Sequence, residues 1–277
     1  MRILITGVKG MLGQDLKRGL SSHELFGVDI SDFDITDRYL TQKRIGEIKP
    51  EMVIHTAAYT DVDGCEKDPD LAYRVNAVGT QNVVLACKEY HVIMVYISTD
   101  FVFSGDKKEP YIEFDHPNPI NVYGQSKLAG EWFVQNLLDR FFIIRTSWLF
   151  GKNGRNFVDT ILKLAAEKDF LEVVNDQVGS PTYTVHLAQE INRLIKTSSF
   201  GIYHISNRGY CSWFEFAKRV LKISGKETRV LPIKSQELNL PAKRPPYSVL
   251  RNYCLELTIG DEMKEWDVAL EEYLSTK

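Results

Sequence analysis

Residues 1–13 read MRILITGVKGMLG. Arg2–Thr6 is a short apolar, β-branched run that stops at a glycine, which is how a strand buried on both faces reads. Residues 11–20 then carry apolar side chains at helical spacing. Gly7, Gly10 and Gly13 join the two. Here the chain must leave a strand sharply, bring its backbone close to an anion and pack the next helix on the sheet. Each need favours a missing side chain, and the helix N-terminus aims its amides at the same point. The spacing is G-x-x-G-x-x-G, looser than G-x-G-x-x-G. Its position after a first strand, more than the triplet itself, gives it meaning.

The alternation continues outward. Strands are predicted at 24–29, 52–56, 92–98 and 141–146, with helices at 36–49, 68–90 and 123–138 between them. Strands buried on both faces and separated by helices predict an α/β fold, a doubly wound parallel sheet. Beyond residue 150 the order loosens. Helices are expected at 157–167, 185–195, 213–223 and 261–274, a strand at 201–206, and a proline-marked loop at 232–246. The expected organisation is a nucleotide-binding domain over 1–150, with returns to the sheet at about 171–205. Residues 151–277 then form mostly a smaller, substrate-binding lobe.

Composition limits the partners. The 277 residues are 44% hydrophobic and carry a net charge of −3, so nothing favours a nucleic-acid partner. An anionic ligand must be held locally, by backbone amides and a few placed cations. No apolar run approaches membrane-spanning length and no leader pattern opens the chain, so a cytoplasmic location is expected. Cys65, Cys87, Cys211 and Cys254 form no C-x-x-C, which favours reduced thiols. Histidines such as His55 and His204 lack ligand spacing and read as packed rather than metal-binding.

Candidate site residues lie where strands end. Asp29 closes strand two, 22 residues after Gly7, where a carboxylate can hold ribose hydroxyls and repel a 2′-phosphate, favouring NADH over NADPH. It reads equally as a solvated strand-end acid. Asp34 and Ile35 suit an adenine edge and face, though Asp34 also suits a helix cap. Ala57 and Ala58 follow strand three, small enough for a dinucleotide to cross the backbone or for close packing under a helix. Thr99 and Asp100 follow strand four. Tyr123 and Lys127, four apart on one helix, share a face. A hydroxyl polarising a carbonyl, a phenol giving a proton and a lysine lowering the phenol's pKa are what a nicotinamide reductase asks of its protein.

At these residues the chain resembles the extended short-chain dehydrogenase/reductases, whose first domain is a Rossmann fold. The strings AAYTDVDGCE (57–66), STDFVFSG (98–105), PINVYGQSKLAGE (119–131), RTSWLFG (145–151), NDQVGSPTY (175–183) and RPPYSVL (244–250) narrow the likeness. They resemble the branch that makes dTDP-L-rhamnose by reducing the C4 keto group of dTDP-4-dehydro-6-deoxy-L-mannose. Together they span nearly the whole chain.

The resemblance implies roles. Tyr123 would be the acid, Lys127 its cofactor-side partner and Thr99 the polarising hydroxyl. Gly10, Met11 and Leu12 would line the diphosphate, with Asp29, Asp34, Ile35, Ala57, Ala58 and Tyr59 around the rest of NADH or NADPH. Asp100, Val102 and Trp148 would face the dTDP-4-keto-6-deoxy sugar, although Trp148 reads equally as a core aromatic. Arg244 would meet the diphosphate of the sugar nucleotide or stand solvated in its loop. A homodimer is implied. No metal is expected, because Asp15 has no evident second ligand. Lys9 departs from the pattern, and a cation in the glycine loop softens the NADH preference. Alternatives from the residues are a cofactor-binding regulatory subunit without turnover, and another sugar-nucleotide reductase or epimerase. Phe101 follows Asp100 where a dehydratase would add an acid–base glutamate, which favours reduction.

Overall fold

The computed structural model describes residues 1–277. Five strands form in the expected places: β1 (Arg2–Thr6), β2 (Glu24–Val28), β3 (Met52–His55), β4 (Ile93–Thr99) and β5 (Phe141–Thr146). A sixth, Gly201–His204, completes one sheet in the order Gly201–His204, β5, β4, β3, β1, β2. Every pair in it is parallel. Alternate residues face opposite sides, and both sides are covered. Ile3, Ile5, Ile54, Val95 and Ile144 pack into one core, and Leu4, Val53, Met94, Tyr96 and Ile143 into the other.

The register brings the ends of β1, β2 and β3 level, and β4 and β5 run on together to Thr99 and Thr146. Thr6 pairs with Val28 and His55, His55 with Tyr96, and Thr99 with Thr146. The loops leaving β1 to β5 therefore open on one edge, where ligands bind in sheets of this kind.

Three expectations fail locally. Residues 68–90 are not one regular helix: a π-helical segment, Arg74–Gly79, interrupts them. There the Asn76 side chain turns inward, donating to the Tyr59 carbonyl (3.0 Å) and accepting from the Tyr59 amide (2.8 Å). A π turn accommodates such an inserted contact. Of the returns expected over 171–205, Gly201–His204 joins the central sheet. Phe170–Val174 does not; it pairs in parallel with Arg229–Ile233, which begins before the stretch expected as loop and enters it. The helix expected over 261–274 starts only at Trp266 and ends at Ser275, and a short helix that was not expected, Tyr253–Thr258, precedes it.

Phe170–Val174 and Arg229–Ile233 belong to the smaller lobe with helices Phe157–Glu167, Trp213–Ile223 and Trp266–Ser275. Its core gathers Phe150, Phe216, Leu270 and Tyr273. Ser212 caps Trp213–Ile223 in a reciprocal capping box with Glu215. Helix Thr184–Leu194, by contrast, sends Leu187, Ile191 and Leu194 into the core of the central sheet.

One buried ion pair fixes helix Val122–Leu137 on that sheet. Glu131 accepts from Arg145 on β5 through both oxygens (2.9 and 2.7 Å) and from Ser98 on β4 (2.5 Å). Buried pairs add little net stability but define one geometry when their hydrogen bonds are filled. Lys127 lies one turn before Glu131, so the pair sets where Lys127 emerges. His55 bonds Thr6 (2.7 Å) and Thr80 (3.2 Å), and burial pushes its pKa down to about 3. It is a neutral packing residue. His204 is buried beneath Phe103 and bonds the Tyr111 carbonyl. The four cysteines are free.

Candidate active site

A cavity of about 930 Å³ opens along the carboxyl edge of the sheet. Its floor is the glycine turn. Gly7 has φ +69°, and a Cβ on it would lie 2.8 Å from the Ala57 amide nitrogen. A Cβ on Gly13 would collide with the Gly7 carbonyl, and Gly10 donates to that carbonyl (3.0 Å). Helix Met11–Gly19 starts there with no side-chain cap, so its first amides, around Met11 and Leu12, are free for an anion.

The adenosine end of a dinucleotide would meet Asp29, Asp34, Ile35, Ala57 and Ala58, all of which line the cavity. Asp29 is tied to the turn: it accepts from the Lys9 amide (3.0 Å). The Lys9 ammonium bonds the Ser31 hydroxyl (2.7 Å) at the same corner. Tyr59 does not line the cavity; its backbone is engaged by Asn76.

At the other end, Thr99, Asp100, Tyr123, Lys127 and Trp148 line the cavity together. Asn121 caps the tyrosine helix, accepting from the Gly124 amide (2.8 Å). Gly124 itself lets that helix touch the Phe101 carbonyl, where a side chain would not fit. Thr99 accepts from the Phe101 amide and donates to Asp100 (3.1 Å each). Ser98, beside them, gives its hydroxyl to Glu131 instead.

Burial governs the electrostatics. It pushes the Tyr123 phenol up, with the Asp100 charge adding and the Thr99 hydroxyl opposing. It pushes Asp100 up to about 7 and Lys127 down to about 7. The expectation that Lys127 makes Tyr123 more acidic is therefore corrected. The ammonium donates to the Ile97 carbonyl (2.7 Å) and lies over the Tyr96 ring (4.1 Å). Tyr123 stays protonated at neutral pH.

Two more placements differ from expectation. Val102 is fully buried among Phe103, Tyr111 and Leu250 and does not line the cavity. The chain enters a 3₁₀ turn at Asp100–Val102, which ends the strand's alternation and turns Val102 inward. Arg244 is bound by Asp63 through both oxygens (3.1 and 2.7 Å), and does not line the cavity either.

Trp148 sits between the cavity and the core of the smaller lobe. It lines the cavity and stacks on Trp213 with centroids 3.5 Å apart and planes 5° off parallel. Its φ of +47° is rare for a bulky residue. Trp213 also lines the cavity and was not singled out in the sequence, because its helical spacing reads as core. Thr146 lines the cavity with a buried hydroxyl that has no partner in the chain. That orphan hydroxyl, the uncapped helix and a cradle that side chains would fill fit a nicotinamide dinucleotide. Asp15 is committed to Arg18 and Thr184.

The comparisons with known proteins agree along the whole chain. SpsK of Bacillus subtilis, a spore coat polysaccharide biosynthesis protein, is 40% identical over 278 residues, covering 100% of this chain and 98% of its own. The crystal structure of a dTDP-4-dehydrorhamnose reductase from Clostridium acetobutylicum superposes with a TM-score of 0.98 at 45% identity, covering 100% and 99%. That of the dTDP-4-dehydrorhamnose reductase from Bacillus anthracis, in complex with NADP, gives 0.97 at 45% identity, again covering 100% and 99%. The family model described as the RmlD substrate binding domain matches residues 1–277, and with full-length relatives well above 30% identity the chain belongs to that family.

Proposed function

We propose that this chain reduces the C4 keto group of dTDP-4-dehydro-6-deoxy-L-mannose to dTDP-L-rhamnose, with NADH or NADPH as reductant. The observation that carries the reading is the meeting of Thr99, Tyr123 and Lys127 in the cavity that also holds the glycine turn. When bound, the cofactor supplies a hydride to C4. The protein's residues do the rest. Thr99 donates a hydrogen bond to the carbonyl oxygen, which makes C4 more electrophilic. As the C–O π bond opens, Tyr123 gives its phenolic proton to that oxygen. Lys127 holds the ribose side of the cofactor and stabilises the phenolate left behind. The amides of the Gly7–Gly13 turn hold the diphosphate and Asp29 the ribose hydroxyls. Trp148 faces the sugar.

The test is NADPH consumption with enzymatically prepared keto-sugar nucleotide, with the product identified by NMR. Stoichiometric loss of NADPH and a 6-deoxysugar product are expected. No consumption with this sugar sinks the reading, and conversion without net loss of NADPH points to epimerisation.

Lys9 carries a cofactor prediction. Its ammonium and the Ser31 hydroxyl lie beside Asp29, where a 2′-phosphate would fall. An exposed pair of this kind is worth up to about 1 kcal/mol. Lys9→Ala should therefore raise KM for NADPH about fivefold while leaving KM for NADH within twofold, an effect that added salt erases. Equal changes for both cofactors would remove Lys9 from the phosphate. The reading also includes a homodimer, checked by sedimentation, and a cytoplasmic place of work. No helix is long and apolar enough to cross a membrane.

A further inference from the structure

The chain at 242–250 leaves the smaller lobe and runs back against the segments that carry the chemistry. The Ala242 amide and Arg244 bind Asp63. The Lys243 carbonyl accepts from Asn121, the cap of the tyrosine helix (2.8 Å). The Pro246 carbonyl and Ser248 amide clasp Val178 (2.9 and 2.8 Å). Ser248 is buried, and its hydroxyl donates to Asp100 Oδ2 (2.5 Å). The other oxygen of that carboxyl, Oδ1, accepts from Thr99 Oγ1 (3.1 Å). A line of three buried groups thus joins the strap to the hydroxyl assigned to the carbonyl.

Thr99 has one proton and two lone pairs to place. One lone pair takes the Phe101 amide. While Asp100 is ionised, the single proton points at Oδ1, away from any substrate. A proton on Oδ1 reverses that bond: Asp100 then donates to the second lone pair and frees the Thr99 proton for the carbonyl oxygen. The Ser248 hydrogen bond on Oδ2 leaves Oδ1 as the oxygen that takes a proton. Tyr123 is the titratable neighbour from the facing helix.

We propose that Ser248 is a positioning residue of this reaction: through Asp100 it sets the direction in which the Thr99 hydroxyl donates. The inference rests on the reaction proposed above.

The test compares wild type, Ser248→Ala, Asp100→Ala and the double variant. It measures kcat, KM for the sugar nucleotide, KM for NADPH and the melting temperature. Ser248→Ala should lower kcat about tenfold, the loss expected for one misdirected hydrogen bond, with KM for NADPH within twofold. Asp100→Ala, which removes the carboxyl, should lower it further. Added to Asp100→Ala, the serine change should cost nothing more, because it acts only through that carboxyl. If Ser248→Ala does not fold, Ser248→Cys keeps the shape with a weak donor and should show the same loss. Ser248 variants within twofold of wild-type kcat, or losses that multiply in the double variant, overturn the proposal. A wild type that consumes no NADPH takes down the reaction and this inference together. An active wild type with an indifferent Ser248→Ala sinks the relay alone.

Discussion

Tyr123→Phe should lower kcat by about 10²- to 10⁴-fold, the usual worth of a positioned general acid, while NADPH binds within twofold of wild type. The substitution removes one oxygen. The ring still packs edge-on to Phe101 at 6.0 Å, and the cavity keeps its shape. What disappears is the proton that must reach the carbonyl oxygen as the hydride arrives at C4. Burial holds that proton on the phenol, since it raises the phenol's pKa above its usual value near 10. The sign matters for the pH profile. A raised phenol pKa means that the acid remains loaded through neutral and mildly alkaline pH. No fall in the reductive rate between about pH 7 and about pH 9 should then trace to Tyr123 in wild type. Steady-state turnover and NADPH fluorescence titration on the same preparation separate chemistry from binding. Turnover within threefold of wild type would remove Tyr123 from the proton transfer.

The parts of this site that the sequence disclosed are those encoded locally. Runs such as ILIT and VIMVYIS read as strands because both faces are buried. Tyr123 and Lys127 read as neighbours because four residues make about one helical turn. Gly7 and Gly13 read as a turn because any side chain there would strike the backbone. The errors begin where distant segments meet. Arg244 looked free for a diphosphate until the strap laid it on Asp63, 181 positions away in sequence. Val102 was set facing the sugar by the resemblance alone, and nothing local marks the 3₁₀ turn that buries it. The segment at 171 found a partner at Arg229–Ile233, whose proline, Pro232, argued for a loop. Ser248 sat inside a recognisable string, but nothing local says that its hydroxyl reaches Asp100. The lowered pKa expected for Tyr123 was a pairwise argument between neighbours on one helix. It left out desolvation, which acts on both partners and dominates each.

Lys127 should trade stability for activity. Its side chain is 2% exposed, and burial lowers its pKa from 10.5 to about 7. At about 1.4 kcal/mol per tenfold change in proton affinity, the folded protein carries a penalty of roughly 5 kcal/mol when this lysine is charged. Two contacts oppose it: the bond to the Ile97 carbonyl, worth about 1 kcal/mol, and the Tyr96 ring beneath the ammonium, worth about 1 to 2 kcal/mol. Glu131 lies one turn on and pulls the other way, but Arg145 and Ser98 already claim its oxygens. The desolvation cost exceeds what offsets it, so Lys127→Met, a straight chain without the charge, should melt several degrees above wild type at neutral pH without cofactor. The pH dependence fixes the cause. A lysine whose folded pKa is depressed costs nothing above its unfolded value, costs more as pH falls from about 10.5, and reaches its full cost below about 7. The advantage of Lys127→Met should therefore be constant below about pH 7 and vanish toward about pH 10. The same variant should lose turnover on the order of 10²-fold and gain less in melting temperature from saturating NADPH than wild type, since the ammonium is a ligand contact. A variant that melts below wild type at every pH would show that the Ile97 and Tyr96 contacts outweigh desolvation, and that Lys127 is held in the fold for its packing.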